Sequence, residues 1–244
     1  MLGEEGTPLT FEVLRGDRVV EFNIQRRFFD SQLVSYKTTD ANATIGYIRI
    51  YQFGTSTISQ FKNAVETLKG QGCTKLIFDL RNNPGGEYVS ITSILDYLLP
   101  EGEIIITKDK NGNEVVERSD KNEVDMPMVV LANEATASAG ELFTAALMDY
   151  DKAVFIGTTT YGKGTVQKTF PLSDGSAVKF STEYYLPPSR VSYDGEGIKP
   201  DIEVQLSEEA AKRFYLIEES EDAQLMAAID YLVNEKYLTG DTEQ

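Results

Sequence analysis

Met128–Gln167 reads MVVLANEATASAGELFTAALMDYDKAVFIGTTTYGKGTVQ, and its hydrophobic rhythm decides the fold. Met128–Ala132 is short and wholly apolar, as a strand covered on both faces is. Ser138–Met148 brings Leu142, Ala145, Ala146 and Met148 inward on a helix. Ala153–Ile156 is a second buried strand. Val166–Phe170 then alternates apolar and polar residues and predicts a strand. Ser138 falls where the turn after the first strand opens the helix, and Lys163 falls between two glycines before the last strand.

The chemistry of that stretch is narrowed by an absence. The sequence contains no histidine. A serine nucleophile needs a group to take its proton, and every Ser-His-Asp scheme is excluded. A lysine can act instead if its amine is stripped of water and held neutral. Gly162 and Gly164 allow close backbone packing around Lys163. Ser138 sits at the positive end of a helix, where N–H groups lack partners and can receive an oxyanion. Thr136 or Ser138 acting only as a helix cap is the ordinary alternative. Small residues on both sides of Ser138 favour close substrate approach. Gly157–Lys163 resembles a phosphate-binding loop, but that motif needs Ser or Thr after the lysine and then a helix. Gly164 and a strand stand there instead, so nucleotide binding is not expected.

Two further pieces belong with these. Lys75–Leu80 is a buried strand running into Arg81-Asn82-Asn83-Pro84-Gly85-Gly86, whose glycines can present a backbone N–H to a carbonyl oxygen. Gln167 lies four residues past Lys163, so on an extended strand it points to the same side and its carbonyl could hold the amine.

Outward from this centre, Ile45–Phe53 predicts a strand. A helix follows from Gly54–Thr57 with Ile58, Phe61, Val65 and Leu68 at helical spacing, and another lies near Val89–Leu99. This strand–helix–strand order predicts a crossover with parallel strands. Leu9–Leu14 and Val19–Ile24 form a hairpin around Arg15-Gly16-Asp17. Ile104–Lys108 and Glu114–Arg118 form another around Asn111-Gly112, and Ala177–Tyr185 pairs with the strand after Lys163. From Glu208 onward one or two acidic helices are expected, with Leu225, Ile229 and Leu232 in a stripe suited to packing or dimerisation.

Composition is that of an ordinary globular protein: 244 residues, 41% hydrophobic and 25% charged, with a formal net charge of −16. Such acidity without a Lys/Arg run argues against nucleic acid and anionic membrane surfaces as partners. Cys73 is the only cysteine, so neither an internal disulfide nor a Cys/His metal site can form. No apolar run approaches the ~18–20 residues of a membrane span. Met1–Gly6 runs directly into a strand, so an export signal or anchor is expected outside this sequence.

Together these pieces resemble the carboxy-terminal processing peptidases, also called tail-specific proteases. The resemblance runs from about Ala43 to Val204 through IGYIRI, FDLRNNPGG, MVVLANEATASAGE, AALMDY, GTTTYGKGTVQ, PLSDGS and GIKPDIEV. It implies an α/β core of the Clp-protease and crotonase type, with mixed sheets and crossover helices. It implies that Ser138 is the nucleophile, Lys163 the general base and Gln167 the residue that orients the lysine. Gly86 and Ala139 are the implied oxyanion donors, with Gly85 close enough to compete, and Asp149 is an implied structural acid. No metal or cofactor is implied. The expected organisation is a PDZ-like remnant over 1–27, a catalytic domain over 28–206 and a helical segment over 207–244. The resemblance further implies protein or peptide substrates cut near their C-terminal tails. The full-length protein is expected to be exported or membrane-associated in the cell envelope or periplasm, with a homodimer through the C-terminal helices as one option. The rival readings are a non-catalytic peptide-binding scaffold and an acyl-thioester enzyme of crotonase type.

Overall fold

In a computed structural model, which describes residues 2–29 and 31–234, the chain divides into a small unit, 1–32, and a large one, 33–244. The small unit is the hairpin read from the sequence: β1 (Pro8–Arg15) pairs antiparallel with β2 (Arg18–Gln25) around Gly16-Asp17. Phe11 stacks on Phe22, a cross-strand aromatic pair that helps hold the register.

The large unit runs β3 (Val34–Thr38), β4 (Ile45–Ile50), α1 (Thr57–Gly70), β5 (Lys75–Asp79), α2 (Tyr88–Leu98), β6 (Gly102–Asp109), β7 (Glu114–Ser119), β8 (Met128–Ala132), α3 (Ala139–Asp149), β9 (Ala153–Gly157), β10 (Thr165–Pro171), β11 (Ala177–Leu186), β12 (Ile202–Glu203), α4 (Glu208–Lys212) and α5 (Ala223–Asn234). Six strands form the central sheet in the order β12-β9-β8-β5-β4-β3, parallel except for β3 at one edge. Four antiparallel strands form a second sheet in the order β10-β11-β6-β7.

The central strands are apolar on both faces because both faces are covered. Alternate residues divide cleanly between two cores. Phe78, Val130 and Phe155 point toward α1, α2 and α3 and pack with Phe61, Ile94 and Phe143. Ile77, Val129, Leu131 and Ile156 point the other way, against Leu225, Ala228, Ile229 and Leu232 of α5.

That second core decides between the two options for the apolar stripe of α5: it is spent on this chain's own sheet and is not free for a partner copy. The segment carries two helices, α4, acidic in its first turn, and α5, AQLMAAIDYLVN, which is mostly apolar. The rest of the expected C-terminal segment, 235–244, lies outside the described residues. Two short strands escape the sequence pattern: β3, two of whose five residues are exposed, and the two-residue β12. The strand predicted over Ile45–Phe53 stops at Ile50, and Phe53 makes only an isolated bridge to Gly86.

Candidate active site

The three loops that carry the sequence motifs leave the carboxyl ends of three adjacent parallel strands. Arg81–Gly86 follows β5, Asn133–Ser138 follows β8, and Thr158–Gly164 follows β9. In open parallel sheets this edge is where sites form, because every strand delivers its loop to the same side.

The first two loops are laced together. The Asn82 N–H donates to Asn133 Oδ1 at 2.9 Å, and Asn133 Nδ2 donates back to Asn82 Oδ1 at 2.9 Å. Asn83 is fully buried; its Nδ2 donates to the Ile50 carbonyl, its Oδ1 accepts from the Gly85 N–H, and its carbonyl accepts from the Ala137 N–H at 2.9 Å. The Thr136 hydroxyl reaches the Leu80 carbonyl at 2.8 Å. These bonds tie the two turns into one shelf.

Ser138 caps α3 with φ 57° and ψ −117°, a conformation that L-residues rarely adopt. Such a position costs about 1–3 kcal/mol and persists only where its surroundings fix it. Here the Ser138 N–H donates to the Glu141 carboxylate at 2.8 Å, and the Ser138 carbonyl accepts from Glu141 and Leu142. Gly85 presses on the same turn: a Cβ there would lie 2.8 Å from both Ser138 Cβ and the Ala137 carbonyl oxygen.

Beside Ser138, the Ala139 and Gly86 N–H groups donate to no acceptor among the described residues. Gly85, by contrast, has its N–H taken by Asn83. Of the two glycines, only Gly86 keeps a free donor. Its backbone is clamped edge-on, since the Glu87 N–H donates to the Phe53 carbonyl at 2.7 Å and the Phe53 N–H to the Gly85 carbonyl at 2.9 Å.

Lys163 approaches from the β9 loop. Its N–H donates to Glu141 Oε2 at 2.9 Å, the same oxygen that holds the Ser138 N–H, so the serine and lysine backbones are direct neighbours. The Tyr161 N–H adds a bond to the Thr136 carbonyl at 3.0 Å. On its far side the loop meets residues 193–198. There the Gly164 N–H donates to Asp194 Oδ1, and the Gly195 N–H donates to the Gly162 carbonyl. A Cβ on Gly162 would stand 2.8 Å from the Gly197 nitrogen, which is why this position carries glycine. The Lys163 amine and the Ser138 hydroxyl are half-buried and make no hydrogen bond to each other.

Gln167 is not brought to the lysine. Gln167 stands exposed on β10 and makes no hydrogen bond to Lys163; the pairing shifts here, with Thr182 of β11 as the extra residue opposite Val166 and Gln167. Asp149 accepts from the Ser189 N–H at 2.8 Å at the far end of α3, a structural tie. No group of three or more His, Cys, Asp or Glu suited to a metal occurs among the described residues.

The residue that sequence reasoning gives no role is Glu141. It is fully buried and accepts from Ser138, Thr160, Gly162 and Lys163. Ser138-Ala139-Gly140-Glu141 has the capping-box spacing, the local signal that points to it. Nearby, the Tyr193 phenol is 4% exposed and its hydroxyl has no partner. Burial, then the charge of Glu141, pushes its pKa well above the usual phenol range.

A family model for peptidase family S41 matches residues 44–204. The chain belongs to peptidase family S41. It is 35% identical over 206 residues to a probable CtpA-like serine protease of Staphylococcus aureus, covering 83% of this chain and 41% of that one. It is 33% identical over 237 residues to a carboxyl-terminal-processing protease of Synechocystis, covering 95% of this chain and 55% of that one. Among solved structures, the photosystem II D1 C-terminal processing protease superposes with a TM-score of 0.66 at 27% identity, over 83% of this chain and 57% of its own. The S41 chain thus spans about half the length of these curated relatives, and the resemblance stated from its motifs is borne out.

Proposed function

We propose that this chain is the catalytic body of a serine endopeptidase that cuts proteins near their C-terminal tails. One observation carries the reading. Ser138 stands strained on a helix N-terminus beside two N–H groups without acceptors among the described residues, with the Lys163 backbone bonded to the same carboxylate oxygen.

In this reading the neutral Lys163 amine takes the Ser138 proton as the hydroxyl oxygen attacks the scissile carbonyl. The Ala139 and Gly86 N–H groups receive the oxyanion, each such donor being worth about 3 kcal/mol. Collapse breaks the C–N bond, and the lysine ammonium gives its proton to the leaving amine. Water, deprotonated by the same amine, then attacks the acyl-serine ester; the C–O bond to Ser138 breaks, the lysine ammonium returns its proton to the serine oxygen, and the new C-terminus is released. No metal or cofactor enters. Because the amine and hydroxyl are not bonded to each other here, the Lys163 side chain must swing to Ser138 before attack. Gln167 orients the amine only if its side chain turns to Lys163 in the same movement.

The test is digestion of casein, a loosely folded protein, with Ser138→Ala and Lys163→Ala beside the parent chain. Both variants are expected to keep the fold and lose cleavage. Undiminished cleavage by Lys163→Ala would refute the dyad. The absence of a Ser138–Lys163 bond also suits a non-catalytic peptide scaffold, which predicts no covalent capture of a fluorophosphonate by Ser138. An extracytoplasmic address for the full-length protein belongs to the same proposal; no described helix is long and apolar enough to cross a membrane.

A further inference from the structure

We infer that Glu141 is the positioning residue that sets the distance between nucleophile and base, an inference that rests on the protease reading above. Its two oxygens divide the work. Oε2 accepts from the Ser138 N–H at 2.8 Å and the Lys163 N–H at 2.9 Å. Oε1 accepts from the Thr160 hydroxyl at 2.7 Å and the Gly162 N–H at 2.6 Å. One buried carboxylate therefore holds the strained serine in place and anchors the loop that bears the lysine.

The grip extends through Thr160. Its hydroxyl donates to Glu141 and accepts from the Ile198 N–H at 2.8 Å, while its own N–H donates to the Ile198 carbonyl at 3.1 Å. The loop is thus fixed between the Glu141 carboxylate and residues 193–198. Ordinary capping needs only the bond to Ser138. Three further donors, all from the lysine loop, exceed what a helix cap requires. The arrangement is what a fixed Ser–Lys spacing requires.

Glutamine has the shape of glutamate but cannot replace it here. All four facing groups donate to the carboxylate. An amide NH2 at Oε2 would face the Ser138 and Lys163 N–H groups; flipped to Oε1, it would face the Gly162 N–H and displace the Thr160 proton. Either choice opposes donors and moves one of the two reacting residues, and a shift of about 1 Å costs about a hundredfold in rate.

The experiment compares the full chain with Glu141→Gln, Thr160→Val and Thr160→Ser on a fluorogenic peptide cut by the parent. Rates are normalised to the folded fraction from circular dichroism. The inference expects Glu141→Gln to lose about a hundredfold in kcat with KM within threefold, since no substrate contact is removed. It expects Thr160→Val to lose about tenfold in kcat and Thr160→Ser to retain the parent value. A folded Glu141→Gln with parental kcat, or a loss confined to KM, overturns it. If Glu141→Gln fails to fold, the threonine pair decides, and equal kcat in the valine and serine variants overturns it. A parent chain that neither cleaves nor takes the fluorophosphonate at Ser138 would instead sink the protease reading itself.

Discussion

Replacing Gly86 by alanine tests the oxyanion assignment most directly. Gly86 has φ 148°, and a Cβ built there would lie 1.9 Å from the Phe53 carbonyl oxygen and 2.6 Å from its carbon. These are backbone atoms of the buried Phe53, so no flexible side chain can yield. The bridge between Phe53 and Gly86 must open, with loss of the Glu87 and Phe53 N–H bonds that clamp it. Two such bonds are worth about 1 kcal/mol each, and the unfavourable backbone conformation adds about 1 kcal/mol or more. A loss of about 3 kcal/mol lowers Tm by roughly 6–12 °C for a domain of this size. The effect on rate is separable. Moving the Gly86 N–H away from the carbonyl oxygen removes one oxyanion donor, which costs about 100- to 1000-fold in kcat. Thermal denaturation followed by circular dichroism gives the first number, and peptide cleavage well below the new Tm gives the second. A variant that loses stability yet keeps kcat within threefold of the parent would show that Gly86 is not an oxyanion donor. A variant with unchanged Tm would refute the clash.

Three other outcomes are expected. Burial alone would raise the Asp79 carboxyl pKa, but the Arg81 guanidinium, with further help from Arg49 and the Tyr47 hydroxyl, more than offsets this and holds it below the usual range. A depressed carboxyl stabilises the fold above its unfolded pKa of about 3.9, and that stabilisation is lost as pH falls through the folded value. Asp79→Asn should therefore cost about 3 kcal/mol at neutral pH and progressively less as pH falls below about 3.9, as urea titrations across that range would reveal. Burial, and then Asp79, raises the Tyr47 pKa well above the usual phenol range. Its contribution is complete below about pH 10 and is lost above it, so Tyr47→Phe should flatten the alkaline limb of the stability profile; an unchanged limb counts against this. Ile229→Ala, in the core between α5 and the sheet, should cost about 2–5 kcal/mol in chemical denaturation, whereas an α5 that served a partner copy would give a cost dependent on protein concentration.

Most of the fold was legible because its signals are local. The apolar runs of β5, β8 and β9 can exist only with both faces covered, and the helical spacing of Phe61, Val65 and Leu68 admits one geometry. What escaped was marginal in pattern. β3 is partly exposed at a sheet edge, and β12 has two residues whose pairing with β9 no periodicity could announce. The stripe on α5 was visible, but sequence spacing cannot say whether such a face meets its own sheet or another molecule.

For the site, the absence of histidine and the Ser138 and Lys163 motifs fixed which chemistry to consider, because residue identity alone limits who can move a proton. Three matters were decided only in three dimensions. Gly86 rather than Gly85 keeps a free N–H because Asn83 claims the other. Gln167 makes no bond to Lys163, and the pairing shift beside it, with Thr182 as the extra residue of β11, exists only once the two strands have met. Glu141 joins serine and lysine because β8 and β9 lie side by side and deliver their loops to one edge. Residue types are set by the chain one position at a time, whereas a hydrogen bond between distant loops exists only once strand order has made them neighbours.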